Sequence, residues 1–522
     1  MKNNIYYIVL LLTVAILYAC GKKERSDTAM GSALIKVSVN SEIDDSENEA
    51  EVGQKAAMLS SGKQEGTISF SENTDVTYTV FPSTQATRPQ LNNSKGSALS
   101  AAIIRKNLVN GIKYVLLAYD ESGGLVAERV YIYGSESNTS KLLLDAGKTY
   151  SFIAYSVNSS DVLPTAVEKE KLATLKLSKV ANDLMTFSSK VKLNEGTNFL
   201  GIVLKHRYSL ITTQLSVDPS TVGTFKNISS AAFKPAHENA TYSFATDAME
   251  YGSQKPLGCP AVFPAIAADQ RTVLSTPSLI ISPATSAATL NFGTITIADE
   301  TKNNFIVPKV KITPGVSYTL KLNFKTCTED VGSVQGMDWR YPEVFVGEKS
   351  AIFKDGKYFY RGETITREII APGADYGFVF DITELDNAFN MELNGVKLAK
   401  NEIQFERGAS SVQNIRFKDK SLYQGINTEG GANIGAVYNM KGTKATPLVK
   451  VVIGKNGEVA LYGSKKSNGP LYELELFNGN SFNTFKWNGS NQGDNNIKVT
   501  QLVDGRTILV GSGSGKKKVA CN

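Results

Sequence analysis

The sequence predicts an all-β protein made of successive sandwich-like modules, and three observations carry that prediction. From Ser32 onward, short runs alternate apolar and polar residues with period two, the pattern of strands with one buried face. Glycine is abundant (43), methionine scarce (8), and the aromatics are mostly the 22 Tyr and 23 Phe, a composition suited to strands and tight turns. The last third is punctuated by Asp355-Gly356, Asn394-Gly395, Asn456-Gly457, Asn478-Gly479 and Asp504-Gly505, dipeptides that supply the positive φ of tight hairpins.

The first element is a leader. Met1-Lys2-Asn3-Asn4 is weakly basic, Ile5 to Tyr18 is uncharged, and Leu17-Tyr18-Ala19-Cys20 follows. A basic start, a short apolar core and a small residue before the cleavage point form a secretory signal. The core is short for a bilayer span, which needs about 20 apolar residues. The Leu-x-Ala-Cys ending resembles a lipobox, in which the cysteine thiol takes a diacylglyceryl group and becomes the new N-terminus. Several acyl chains, palmitate among them, hold far more firmly than one. An ordinary secretory signal or a short membrane helix are the competing readings. Residues 1–20 are thus expected to be a lipoprotein signal peptide, Cys20 the lipidated residue, and 21–31 a tether.

Beyond the tether, Ser32–Asn40 reads as a strand, with Ile35, Val37 and Val39 on one side and Leu34, Lys36 and Ser38 on the other. Ser41–Gln64 is acidic and polar, a long loop of the kind that is functional or disordered. Strands resume at Gly66–Phe70 and Asp75–Phe81, before a looser stretch from Pro82 to Ser100. Tyr114–Asp120 and Leu125–Tyr133 flank Gly123-Gly124 as a hairpin. Lys141–Leu144 and Tyr150–Tyr155 follow, and helical spacing predicts a short helix within Pro164–Asp183. Ile202–Val217 reads as one long strand; others fall at Ala231–Phe233, Thr241–Phe244, Ser278–Ser282, Thr289–Ile297, Val307–Ile312 and Tyr318–Phe324. Gly147-x-x-Tyr150 and Gly315-x-x-Tyr318 share a spacing, each opening the last strand of its segment, which suggests tandem domains at 32–195 and 196–330. Residues 331–522 make a third module, with strands recurring between the turns as in a sandwich or jelly-roll. A chain of 522 residues suits about three domains.

Several kinds of chemistry are poorly supported. The net charge of +6 is small, and no basic run is interleaved with aromatics, so nucleic acid is not an expected partner. His206 and His237 lack a second histidine at metal-ligand spacing. Gly147-Lys148-Thr149 superficially matches a phosphate loop, but position 142 is Leu and the segment enters a strand. No Gly-x-Ser-x-Gly elbow and no paired-cysteine redox motif occurs. No catalytic residue, metal or cofactor is expected, and the protein is not expected to be an enzyme. An exported chain meets oxidising conditions, so two of Cys259, Cys327 and Cys521 can bridge. Cys327 precedes the last module and Cys521 is penultimate; domain termini often lie close, which favours Cys327–Cys521, with Cys259–Cys327 as the alternative.

The 331–522 module also holds candidate contacts for a sugar, which needs an aromatic platform and fixed polar groups: Trp339 and Trp487 with Tyr376, Asp381, Asp386, Asn387 and Asn394. The plain alternative is core aromatics with turn-forming Asp and Asn.

Together the lipobox, the loop after a first strand, Leu144-Asp-Ala-Gly-Lys-Thr-Tyr-Ser-Phe-Ile-Ala-Tyr-Ser-Val-Asn158, Leu204-Lys-His206-Arg-Tyr-Ser-Leu and Ile312-Thr-Pro-Gly-Val-Ser-Tyr-Thr-Leu resemble the fimbrillin family over about residues 1–330. These are lipoprotein subunits of type V pili. The resemblance implies tandem transthyretin-like β-sandwiches, a place at the outer membrane and cell surface or in a fimbrium, and other pilus subunits as partners through β-strand exchange. It implies Ser32–Val39 as the exchangeable strand and proteolysis after a basic residue in Ser41–Gln64, where Lys55 and Lys63 are the only basic residues. Major subunits of the family are cut after arginine, and Arg25 and Arg88 lie outside this loop, which points toward an accessory or tip subunit or a monomeric surface relative. The expected function is therefore a fimbrial structural, accessory or tip subunit in cell adhesion. The alternative is a non-polymerising lipoprotein that binds a glycan or another host or bacterial surface ligand. A polysaccharide hydrolase using Asp381 and Asp386 is a weaker third reading.

Overall fold

The computed structural model describes residues 31–43, 63–82, 104–267, 270–406, 412–423 and 437–522; their regular structure is β-strand apart from two short 3-10 turns, with no α-helix among the described residues. The described residues pack as two units: those within 1–42, 105–205 and 241–250 form the first, and those within 43–104, 206–240 and 251–522 the second.

In the first unit an eight-stranded sheet runs Ile104–Lys106, Ser32–Ile43, Gly196–His206, Met185–Lys192, Thr149–Ser156, Lys113–Tyr119, Leu125–Ile132, with Leu142–Asp145 also paired to Ser32–Ile43. Its inner face buries Ile35, Tyr114, Leu116, Tyr150, Phe152, Leu200 and Leu204 in one cluster. Thr149–Ser156 and Lys113–Tyr119 are buried on both faces, which explains their nearly unbroken apolar runs. A four-stranded sheet belongs to the same unit: Ala248–Tyr251, Ala240–Ser243, Lys176–Val180 and Thr165–Val167.

The second unit begins with a six-stranded sheet ordered Thr272–Leu274, Ser209–Val217, Ser317–Thr326, Thr74–Pro82, Gln64–Ser69, with Ser278–Ile280 on Ser209–Val217. A five-stranded sheet built on Thr285–Ile297 belongs to the same unit, and residues of both sheets share one core. Phe70, Phe225 and Phe305 surround Phe324 with ring centroids 5.4, 5.5 and 6.2 Å away. The C-terminal part contributes a seven-stranded sheet from Thr328–Tyr341 to Ile415–Phe417, a five-stranded sheet around Asn495–Leu502, and the small sheet Val344–Val346, Lys349–Lys354, Lys357–Tyr360.

Cys327 is the single residue between the strands Ser317–Thr326 and Thr328–Tyr341, and it is bonded to Cys521 with a Cα–Cα distance of 5.4 Å. Both cysteines donate backbone N–H groups to one turn, Cys327 to Asn73 O at 2.8 Å and Cys521 to Glu72 O at 2.9 Å. Cys259 is buried and free. Nearby, the buried Arg271 donates to the carbonyls of Asp218, Thr221 and Gly223 and to the Tyr462 hydroxyl. The Tyr376 hydroxyl bridges Val222 N and O at 3.0 and 3.3 Å, beside an apolar cluster of Val222, Tyr376, Val379, Val452 and Tyr462.

The structure differs from the sequence reading in five places. Gln64–Ser69 and Thr74–Pro82 lie in the second unit's sheet, paired with Ser317–Thr326, and not in a module spanning 32–195. Residues 196–205 and 241–250 belong to the first unit, so its limits are discontinuous in sequence. Ile202–Val217 is two strands, because the buried set changes phase: Ile202 and Leu204 point inward before the break, and Ile211, Leu215 and Val217 after it. Pro164–Asp183 forms two short strands joined by turns, and Leu175 and Leu177 are buried at a spacing of two. The Gly-x-x-Tyr pair is local turn chemistry: Gly147 and Gly315 have φ of +81° and +83°, yet Thr149–Ser156 has only antiparallel partners while Ser317–Thr326 pairs in parallel with Ser209–Val217.

Candidate functional site

The sequence singles out the first strand, and the structure places it inside its sheet. Ser32–Ile43 runs parallel to Gly196–His206 with Cα partners from Ala33↔Gly196 to Glu42↔Lys205. On its other side it pairs antiparallel with Leu142–Asp145, from Ser32↔Asp145 to Ile35↔Leu142, and with Ile104–Lys106. Ala33, Ile35 and Val39 are buried and Val37 is half-buried. Each fully buried Val or Ile contributes roughly 1.5–3 kcal/mol, so the strand's inward row is worth several kcal/mol. Its removal would leave two rows of unpaired backbone groups and an apolar groove floored by residues such as Leu200 and Leu142.

The chain leaves this strand through residues 44–62, outside the described residues together with Lys55, and re-enters at Lys63 in the second unit. Lys63 is exposed and paired with Glu65 at 3.0 Å. It stands just before Gln64–Ser69, whose Gln64 side chain donates to Lys309 O and accepts from Lys311 N. Cys20 also lies outside the described residues.

The proposed sugar contacts are placed differently from the expectation. Trp339 and Trp487 are 4% and 2% exposed, and Trp487 Nε1 donates to Ala374 O at 2.7 Å with its ring 5.8 Å from Phe378. Neither offers a ring face to a ligand; both are core, as is Tyr376. Asp381 lies across from Lys450 on the neighbouring strand, with Oδ1 2.6 Å from Nζ. Asp386 is buried and accepts from Asn387 N, Ile508 N and Gln501 Nε2. The Asn387 carbonyl accepts from Phe405 N. Asn394 is exposed with φ of +49°, and its side chain closes the turn onto Asn495 Oδ1 and Asn496 N. Asp and Asn here hold turns and strand ends together, and the seven residues do not form one surface.

Burial pushes the Asp386 carboxyl up to about 7, against the pull of its backbone donors, and Glu402 likewise to about 7. Both accept from backbone N–H groups, Asp386 from Ile508 and Glu402 from Leu502, and the charge of Asp386 adds to the upward push on Glu402. Of the two histidines, His237 Nδ1 contacts Gly252 O at 2.7 Å, and His206 ends the strand Gly196–His206. Sequence reasoning did not single out Arg271, Glu402 or the buried polar run Gln404, Gln413, Asn414; their neighbours in sequence carry no motif, and burial alone marks them.

No family model matches the chain, and no curated protein matches it. Among solved structures, the chain is similar to the fimbrial anchor protein of Porphyromonas gingivalis at 9% identity, covering 63% of this chain and 99% of that one, with a TM-score of 0.27. A fimbrial assembly protein of Parabacteroides distasonis is 14% identical over 40% of this chain and 82% of that one, TM-score 0.25. A candidate cell adhesion protein of Bacteroides fragilis is 12% identical over 45% and 89%, TM-score 0.28.

Proposed function

We propose that this chain is a surface-anchored fimbrial subunit, structural, accessory or tip, that acts in cell adhesion and is held at the outer membrane by lipid on Cys20. The reading rests on one observation above all: the strand nearest the chain's beginning is paired along both edges within a sheet, yet the segment after it leads into a different unit. Until the 44–62 segment is cut, lipid on Cys20 holds the whole chain; a cut there leaves the strand, with Cys20, joined to the rest by pairing and packing only, so that a strand from another copy can replace it without threading. Partners are therefore other subunits, met through backbone pairing, and no catalytic role forms part of the proposal. The glycan-binding alternative drew on Trp339 and Trp487, which are core residues.

The test is a mature chain lacking residues 32–39, followed by light scattering and by addition of a peptide with the sequence of Ser32–Ile43. Strand-exchanged oligomers that the peptide dissolves into peptide-bound monomers are expected. Stable monomers that ignore the peptide would overturn the reading.

A further inference from the structure

The outer face of the first unit's sheet combines apolar and cationic groups around the first strand. Because Ala33, Ile35 and Val39 point into the core, Leu34, Lys36 and Ser38 point out. Register sets Leu34 beside Leu143 on one side and Lys36 beside Phe199 on the other. Phe199 is 80% exposed and Leu143 57%, high values for large apolar side chains within strands. One strand further, Lys190 and Lys192 are exposed on this same face: they pair with Ser151 and Thr149, whose neighbours Tyr150 and Phe152 point into the core. Among the described residues, Lys36, Lys190 and Lys192 have no ion-pair partner. Acidic groups at the border include Asp145, held by Lys148 at 2.7 Å, Glu121, which accepts from Thr149 N at 3.2 Å, and Glu195 in the turn before Gly196–His206.

Two features identify what such a face meets. An exposed aromatic ring flanked by unpaired lysines is complementary to a lipid surface bearing anionic headgroups, where the ring enters the interfacial zone and each lysine adds attraction. The chain outside the described residues is short on this side: residues 21–30 separate Cys20 from Gly31, so a lipid-bearing Cys20 lies within about 40 Å of the strand at full extension.

We propose that Leu34, Lys36, Leu143, Lys190, Lys192 and Phe199 form a membrane-docking face that lays the first unit against the anionic lipid surface to which Cys20 tethers it. The inference rests on the proposed lipid anchor and deepens it. The tether supplies a high local concentration, and the face turns a single-point attachment into an oriented one.

The test separates the two claims. Full mature chain carrying Cys20→Ser, and therefore unacylated, is floated with vesicles of phosphatidylcholine and phosphatidylglycerol in equal parts, and with phosphatidylcholine alone. Binding to the mixed vesicles and little to the neutral ones is expected. Phe199→Ser should weaken it roughly tenfold, and Lys190→Glu with Lys192→Glu should abolish the preference for anionic lipid, while the chain stays folded because all three side chains are exposed. Absent or lipid-indifferent binding overturns the docking face, as does self-association without vesicle binding. Mass spectrometry of wild-type protein from cells tests Cys20 separately. Acylation with no binding by the Cys20→Ser chain sinks the face alone, and vesicle binding without acylation sinks the anchor alone.

Discussion

Single residues with no sequence motif carry much of the second unit's internal order. Arg271 is buried and gives its donors to three backbone carbonyls and the Tyr462 hydroxyl, so its removal leaves several acceptors without a donor. Arg271→Ala is expected to destabilise the second unit by about 2–4 kcal/mol, measured by denaturant melting; a loss below about 0.5 kcal/mol would contradict this. Asp386 and Glu402 act in the opposite sense. Their carboxyls are raised to about 7 by burial, so the folded state holds protons that the unfolded chain, titrating near 4, gives up. Their contribution to stability is fully present below about pH 4 and is lost as pH rises through 7. Between pH 7 and 5.5 each should add up to about 1.5 kcal/mol to unfolding free energy. Carboxylates held low by lysine or arginine, such as Asp299, Glu384 and Asp419, work against this only at lower pH, where they become protonated. Asp386→Asn keeps an acceptor for Ile508 N and should flatten that slope; an unchanged slope would show that the group does not titrate in this range.

At the level of elements, the positions of strands were legible, the doubly buried Lys113–Tyr119 among them, and their distant partners were not. The Lys113–Tyr119 and Leu125–Ile132 hairpin falls where Gly123-Gly124 and the alternating runs place it. The sheet to which Gln64–Ser69 and Thr74–Pro82 belong was not legible, since a strand's sequence encodes which face is buried but not which distant strand lies beside it. The phase change near Arg207-Tyr208 was readable in principle: buried residues shift from even to odd positions there. The candidate first strand was legible as a strand, and its parallel pairing with Gly196–His206 was not. Edges differ in kind, and that has a consequence. Glu300–Ile312 carries Pro308, Lys302, Lys309 and Lys311, a protected edge, whereas Leu125–Ile132 ends the first unit's sheet with Val126, Val130 and Ile132 42–45% exposed. Val130→Lys should raise the concentration at which the protein aggregates without lowering its melting temperature, by turbidity and calorimetry. An equal aggregation threshold would show that this edge is not the weak point.

For the whole molecule, the Cys327–Cys521 bond closes a loop with a sequence separation of 194, so the entire C-terminal part is enclosed by one covalent link at the residue where two long strands meet. In the chain-entropy picture a loop of that length restricts the unfolded state by about 5 kcal/mol. The bond also holds the end of Thr507–Lys518, a strand flanked on both sides by Thr328–Tyr341 and Phe378–Leu385. A terminal strand is the easiest to lose by fraying or exchange, and here the end that would fray is tied back. Among the described residues, the first strand and the last are held unequally: Ser32–Ile43 by pairing and packing, and Thr507–Lys518 by pairing, packing and a covalent bond. Cys521→Ser should therefore lower hydrogen-exchange protection in Thr507–Lys518 and Thr328–Tyr341 by at least tenfold and leave Lys113–Tyr119 in the first unit unchanged. Uniform loss across both units would mean that the bond stabilises the chain as a whole, and undiminished protection would mean that the strand needs no tie.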